Sequence, residues 1–410
     1  CDWSSDVCSS DLFFSVETIK RQLDGMAAAK LNIFHWHLTD DQGWRLESRA
    51  YPKLHQEASN GQYYTREQVQ EIVAYAAERG IQVMPEIDMP GHSSAIAVAY
   101  PELMSAPGPY KPEDRWGVHK PLLNPANEAV YEFAETILRE VAELFPFDYI
   151  HVGGDEVDPE HWLNNPDIRA FMDNEGLENA EALHAHFNQR LSNILTRLDH
   201  KMMGWDEVLH PDLPQHTAVQ SWRGVDSLGQ AAQAGHPAVL STGFYLDQPQ
   251  TAGYHYRVRF EPEPLTIETQ PTESEIRQSW AFEMPRKRGS AITGYVTVIQ
   301  RPGNQRRGYI DFTGKSRKTL HNLILDGDQL RFDVDTWMGP VRARLVSRGD
   351  ALKGDMVVGN AAYAVSGQRV EQSPEPLTKP VLSDSDKTNI LGGEIALWAE
   401  LIDEQSIDLR

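Results

Sequence analysis

The chain has 410 residues, 40% hydrophobic and 24% charged, which is ordinary for a globular protein with room for one large and one smaller domain. Acidic side chains outnumber basic ones by 60 to 38, and the formal net charge of −22 repels polyanions, which sets nucleic-acid binding aside. No run of 18 or more apolar residues occurs, so no membrane-spanning helix is predicted.

Both cysteines, Cys1 and Cys8, lie in a polar opening segment, 1–12, that repeats Ser-Ser-Asp and breaks abruptly into patterned sequence at Phe13. It reads as a non-native leader and supports no redox inference. From Phe13 to about Ala252, apolar runs alternate with amphipathic ones. Strands are predicted at Leu31–Leu38, Ile81–Ile87, Tyr149–Val152, Met202–Trp205, Thr217–Trp222 and Ala238–Tyr245. Helices are predicted at Arg66–Arg79, Glu128–Leu144 and Glu181–Leu198. Such alternation implies a parallel sheet with right-handed crossovers. Polar, chemically rich residues end every strand, which favours a (β/α)8 TIM barrel in the α/β class over a doubly wound sheet with a single switch point. Near Arg257 helical periodicity gives way to β alternation, as in Ala291–Ile299, Leu330–Asp335, Val341–Val346 and Asp355–Val358. This predicts a small all-β module inserted over 257–386, between a barrel portion at 13–256 and its last strand within 387–410. On that reading the first strand and the last helix of the barrel are missing or corrupted, and the chain is a fragment truncated at both ends.

The most informative words end the strands. Tyr149-Ile150-His151-Val152 runs into Gly153-Gly154 and then two adjacent carboxylates, Asp155-Glu156. On a regular strand neighbours point to opposite faces, but glycines let the chain turn and bring both carboxylates to one cavity. Like charges held close raise one pKa, the condition a general acid needs. An isolated Asp-Glu pair is more often a solvated loop favouring the next helix N-terminus. Here, however, it has company: Phe34 to Arg45 (with His35, His37, Asp40 and Trp44), Pro85 to His92 (with Glu86 and Asp88), Gly204-Trp205-Asp206-Glu207, Gln220-Ser221-Trp222, Phe244-Tyr245-Leu246-Asp247 and Trp398-Ala399-Glu400. Acids, histidines and aromatics converging on one barrel mouth suit a sugar, whose apolar faces stack on indoles while its hydroxyls bond carboxylates.

These words in this order resemble the family 20 glycoside hydrolases, the chitobiase-like β-N-acetylhexosaminidases, over about 13–252 and 390–400. The resemblance implies an exo-acting enzyme that removes terminal β-linked GlcNAc or GalNAc with retention, the substrate's own acetamido oxygen acting as nucleophile through an oxazolinium. It implies Glu156 as general acid and base, with Asp155 orienting the acetamido nitrogen and Tyr245 bonding its carbonyl. Trp205, Trp222 and Trp398 would wall the pocket, Asp247 and Glu400 would hold outer hydroxyls, and His92, linked to Asp40, would contact Glu156. No cofactor or metal is implied. The partner implied is an oligosaccharide, either a chitooligosaccharide or a glycan terminus, and an exported, periplasmic or secreted location follows by analogy. One departure stands out: where the family has a sugar-binding arginine this chain has Asp11.

His35 and His37 share one strand face and are expected to fill the barrel interior, with Glu86 and Asp88 as supporting struts. Two rival readings remain open on the residues alone. In a metal-dependent hydrolase, His35, His37, His92, His151 and Asp88 would supply ligands. In a glycan-binding protein without turnover, the aromatic cage alone would serve.

Overall fold

The computed structural model describes residues 2–8, 12–115, 117–247, 250–262, 275–285, 291–303, 305–313, 317–336, 339–359, 361–371 and 381–399. The chain divides into two compact units, Cys1–Gln248 with Leu382–Arg410, and Pro249–Val381.

The first unit is built on eight parallel strands: β1 (Asp2–Cys8), β2 (Ile33–His37), β3 (Gln82–Glu86), β4 (Tyr149–His151), β5 (Lys201–Trp205), β6 (Ala218–Ser221), β7 (Ala238–Leu240) and β8 (Ile390–Leu397). They close in the order β1-β8-β7-β6-β5-β4-β3-β2. The sequence reading expected the first strand to be missing. Instead the opening segment supplies β1, which pairs in parallel with β8 and with β2, setting Asp6 opposite both Ala396 and His35. Without it, β2 and β8 would each present an unpaired row of backbone N–H and C=O groups. Ladder bonds are made by backbone, so a polar sequence is no bar to closing the ring.

Local chemistry sets the surrounding helices. Helix α1 (Val16–Ala29) starts at Ser15, whose Oγ accepts from the Thr18 N–H at 3.3 Å. In α2 (Arg66–Ala77) Thr65 and Gln68 form a reciprocal capping box. Helix α3 (Glu128–Ala142) buries Val130, Phe133, Ile137, Leu138 and Val141, an i, i+3, i+4 stripe. Helix α4 (Ala180–Arg197) follows β4, and α5 (Val225–Gln233) follows β6. The strict strand–helix alternation expected from sequence breaks between β5 and β6, where the only helical element is the 3-10 turn Asp206–Val208. That short connection keeps Asp206 and Glu207 beside the strand end.

Along β2 the period of two sorts the side chains. Phe34 and Trp36 face outward into the aromatic layer, Trp36 lying 4.7 Å from Tyr64 between ring centroids. His35 and His37 point the other way and are buried among acids.

The second unit is an antiparallel meander of Ile276–Met284, Ile292–Arg301, Gln305–Phe312, Lys318–Thr319, His321–Asp326, Gln329–Thr336, Gly339–Arg348, Ala351–Val358 and Ala361–Val370. The segments at its two edges, Lys318–Thr319 and His321–Asp326, are separated only by Leu320, and Ile276–Met284 pairs with Ala361–Val370. The sheet therefore curls back on itself around Trp280, Phe282, Phe312, Phe332 and Met356. At Gly367 a Cβ would lie 2.4 Å from the Ala281 carbonyl oxygen, so the tight curl needs glycine there. This unit begins at Pro249, whereas the loss of helical periodicity falls at Arg257. Arg257 is tied into it by an ion pair to Asp335, Nε to Oδ2 at 2.9 Å.

Candidate active site

Beyond β4 the chain turns sharply. Gly153 has φ 70° and Gly154 φ 91°, and Glu156 itself takes the left-handed region at φ 50°. Glycine is required at Gly153, since a Cβ there would sit 1.7 Å from Asp88 Oδ1. The turn is pinned from both sides: Trp205 N–H donates to the Gly153 carbonyl at 2.9 Å, and Gly154 N–H to Asp88 Oδ1 at 3.2 Å. A non-glycine residue held left-handed costs on the order of 1 kcal/mol, and such strain concentrates at functional positions. Its effect here is to turn Asp155 and Glu156 toward one histidine.

That histidine is His92, itself at φ 45°. Its Nε2 lies 3.6 Å from Asp155 Oδ2 and 3.6 Å from Glu156 Oε2. On its other side Nδ1–H donates to Asp40 Oδ1 at 2.9 Å, with Asp41 Oδ2 at 3.3 Å. Asp41 is braced in turn by the Ser94 N–H at 2.9 Å. Burial alone would favour neutral imidazole, but Asp40 and Asp155 outweigh it and hold the His92 pKa well above its ordinary value. Burial likewise opposes ionisation of Asp40, and the charge of His92 overrides it to bring that pKa down.

Of the acidic pair, Asp155 is the deeper, 16% exposed against 35% for Glu156. Burial pushes the Asp155 pKa up to about 7; His92 opposes the rise, while Glu86 and Glu156 add to it. The carboxyl lifted toward neutrality is thus the member to which the resemblance gives the orienting role. Asp88 is pushed well above the carboxylate range by burial and by Asp155.

Beneath this turn the barrel is filled by a polar knot. Glu86 is its hub: Oε2 meets His35 Nε2 at 2.9 Å and His37 Nδ1 at 3.2 Å, and Oε1 meets His151 Nδ1 at 3.0 Å and the Trp205 indole N–H at 2.9 Å. His35 Nδ1 also reaches Glu394 Oε1 at 3.2 Å, and the Gln220 amide donates to the same oxygen. Burial opposes the charge on Glu86, but His151 and His37 hold its pKa well below normal. His35, Glu86 and His151 offer atoms within 4.8 Å of one another, a spacing these mutual hydrogen bonds and ion pairs already account for. The histidines fill the interior, as their shared face implied.

Aromatic rings line the mouth above. Trp205 and Trp398 lie 5.9 Å apart between centroids, Trp398 and Tyr245 6.0 Å, and Trp398 rests edge-on against His37 at 5.5 Å. Tyr245 bridges to Ala396 beside β8, and Asp247 close by is buried. Trp222 is half-buried and donates its indole N–H to Glu207. Glu400 and Asp11 lie outside the described residues. The structure therefore brings Asp40, His92, Asp155 and Glu156 together, and Tyr245, Trp205 and Trp398 together.

Sequence reasoning gave no role to Asp41 or Glu207. Glu207 did carry a signal, because Asp206-Glu207 repeats the acidic pair of Asp155-Glu156 at the end of the next strand. Burial and the adjacent Asp206 push its pKa up to about 9, with Arg223 opposing and Asp155 adding.

The glycosyl hydrolase family 20 catalytic domain matches residues 6–293. The chain belongs to glycosyl hydrolase family 20. Among family 20 relatives it is 39% identical over 274 residues to a β-hexosaminidase of Porphyromonas gingivalis, covering 64% of this chain and 34% of that one. It is 36% identical over 266 residues to a β-hexosaminidase of Vibrio furnissii, covering 58% and 43%. Among solved structures it is similar to a chitobiase of Flavobacterium johnsoniae, with TM-score 0.63 and 41% identity over 64% of this chain and 41% of that one. It is also similar to an exo-β-N-acetylglucosaminidase of Vibrio harveyi in complex with N-acetylglucosamine, with TM-score 0.55 and 33% identity over 60% and 42%. The chain thus spans less than half the length of each of these family 20 proteins. Among the described residues, no helix is long and apolar enough to cross a membrane.

Proposed function

We propose that the chain carries the site of an exo-β-N-acetylhexosaminidase that releases terminal non-reducing β-linked GlcNAc or GalNAc by substrate-assisted, retaining catalysis. The observation that carries this reading is the placement of Asp155 and Glu156, adjacent in sequence and both 3.6 Å from one imidazole nitrogen. A double-displacement glycosidase sets its acid and its nucleophile on opposite sides of the scissile bond, roughly 5 Å apart. Two carboxylates serving one histidine suit a different division of labour, one acid and one orienting group.

In this scheme Glu156 gives its proton to the glycosidic oxygen as the C1–O bond breaks. The acetamido carbonyl oxygen attacks C1 from the other face and closes a cationic oxazolinium ring. Asp155, ionised, accepts the acetamido N–H and balances the positive charge, while Tyr245 bonds the carbonyl oxygen. Water then adds to C1 as Glu156 takes back a proton, opening the ring with net retention. His92, cationic between Asp40 and the acidic pair, favours the ionised Asp155 that this cycle requires. Trp205, Trp222 and Trp398 wall the N-acetyl pocket, with Asp247 and Glu400 at the outer hydroxyls. Chitooligosaccharides and glycan ends carrying GlcNAc or GalNAc are the substrates proposed, and an exported location is proposed with them.

The test is hydrolysis of p-nitrophenyl β-N-acetylglucosaminide beside the unacetylated β-glucoside. Turnover of the acetamido sugar alone supports the proposal. Binding of the sugar without release of nitrophenol would leave a glycan-binding protein.

A further inference from the structure

One acidic side chain at the mouth takes no part in the chemistry above. Glu207 stands in the 3-10 turn after β5, its side chain 18% exposed, and that turn packs directly against the catalytic one: a Cβ on Gly154 would come within 2.5 Å of Val208 Cγ1. The Trp222 indole N–H donates to Glu207 Oε2 at 2.9 Å, with Oε1 at 3.2 Å. An indole has a single polar atom, so whatever holds that atom fixes the rotation of the ring.

The rest of the surroundings tie down the turn that carries Glu207. Asp206 Oδ1 accepts from Arg223 Nε at 2.8 Å, and the Arg223 Nη2–H donates to the Asp206 carbonyl at 3.1 Å. Ser227 donates to Asp206 Oδ2, and Thr242 to the Trp222 carbonyl. The backbone on either side of both residues is therefore tied down, leaving the Glu207 contact as the bond that sets the plane of the half-buried indole. Burial and the adjacent Asp206, which push the Glu207 pKa up, favour the uncharged carboxyl as the partner of the indole N–H.

We propose that Glu207 is a positioning residue for the N-acetyl pocket, acting through Trp222 by fixing the plane of its indole. The inference rests on the hexosaminidase reading. A purely structural tie would predict lost stability with unchanged kinetics; a positioning role predicts a change in substrate affinity.

The experiment uses the full chain and p-nitrophenyl β-N-acetylglucosaminide. Glu207→Ala is expected to raise KM roughly tenfold with kcat within about threefold, the pattern of lost binding common to ground and transition states. Glu207→Gln keeps a carbonyl oxygen for the indole and is expected to restore KM to within about threefold of the parent. Trp222→Phe lacks the N–H and is expected to raise KM as Glu207→Ala does, with the double variant no worse than either single one. Any of three results would overturn the proposal: an unchanged KM in Glu207→Ala, a Glu207→Gln variant as impaired as Glu207→Ala, or additive losses in the double variant. Should Glu207→Ala fail to fold, Glu207→Met, which keeps the bulk but offers the indole no oxygen, takes its place, and an unchanged KM there refutes the role. The parent separates the two claims: if it does not hydrolyse the acetamido sugar, the hexosaminidase reading fails, whereas an active parent with indifferent variants sinks only this inference.

Discussion

Replacing Asp155 with Asn should make the protein more stable and nearly inactive, because its carboxylate is held where burial disfavours it. Burial pushes the Asp155 pKa up to about 7, from an ordinary value of 3.8. The folded state therefore keeps a proton that the unfolded chain releases at about pH 4. Relative to a neutral isostere, stability is unaffected below that pH, falls as the pH rises toward 7, and stays reduced above it. At about 1.4 kcal/mol per pH unit, the full interval corresponds to an upper bound of about 4 kcal/mol. That interval is already net of the pairing with His92; with Asp155 16% exposed, solvent screening reduces it, and a gain of about 2 kcal/mol above pH 7 is the working value. For a unit of this size that is a rise in Tm of about 4–8 °C. The assay is thermal unfolding of parent and Asp155→Asn from pH 4 to pH 9, with kcat measured on the same samples. The expected Tm curves meet near pH 4, separate up to about pH 7 and then run parallel, while kcat falls roughly 10²–10³-fold for loss of a charge-stabilising group. A Tm difference independent of pH, or a variant less stable than the parent at pH 8, would refute the reasoning.

Three further outcomes follow from the same geometry. Glu156→Gln should abolish most hydrolysis of substrates with poor leaving groups, by roughly 10²–10⁴-fold, while binding of N-acetylglucosamine measured by calorimetry is kept. Because His92 lowers the Asp155 pKa, His92→Asn should move the acid limb of kcat/KM to higher pH as well as lowering its plateau, checked by a full pH–rate profile. Gly153→Ala forces a Cβ against Asp88 at a left-handed position, so a loss of more than about 2 kcal/mol is expected in denaturant unfolding, with activity lost alongside.

Much of the site could be read from the sequence because its residues announce themselves locally. Strand, glycine pair and acidic pair share eight consecutive positions, and the φ values of Gly153 and Gly154 are what that spelling asks for. What stayed hidden depends on partners far apart in sequence. Glu86 is one acid in a strand until folding gathers His35, His37, His151 and Trp205 around it. Which member of the acidic pair carries the raised pKa is decided by depth and by His92, neither of which the dipeptide encodes. Strand β1 was missed because backbone pairing between β2 and β8 admits a segment with no hydrophobic signature. The curl of the second unit rests on Leu320 joining two edge segments, a pairing between strands that periodicity alone does not reveal.

The most direct test of substrate assistance is kcat/KM across p-nitrophenyl glycosides whose N-acetyl group carries zero, one, two or three fluorines. Each fluorine withdraws electrons from the carbonyl oxygen that is proposed to attack C1. The account predicts a steep, monotonic fall along the series. A flat series would mean that another nucleophile reaches C1, and would contradict the roles given to Asp155 and Tyr245.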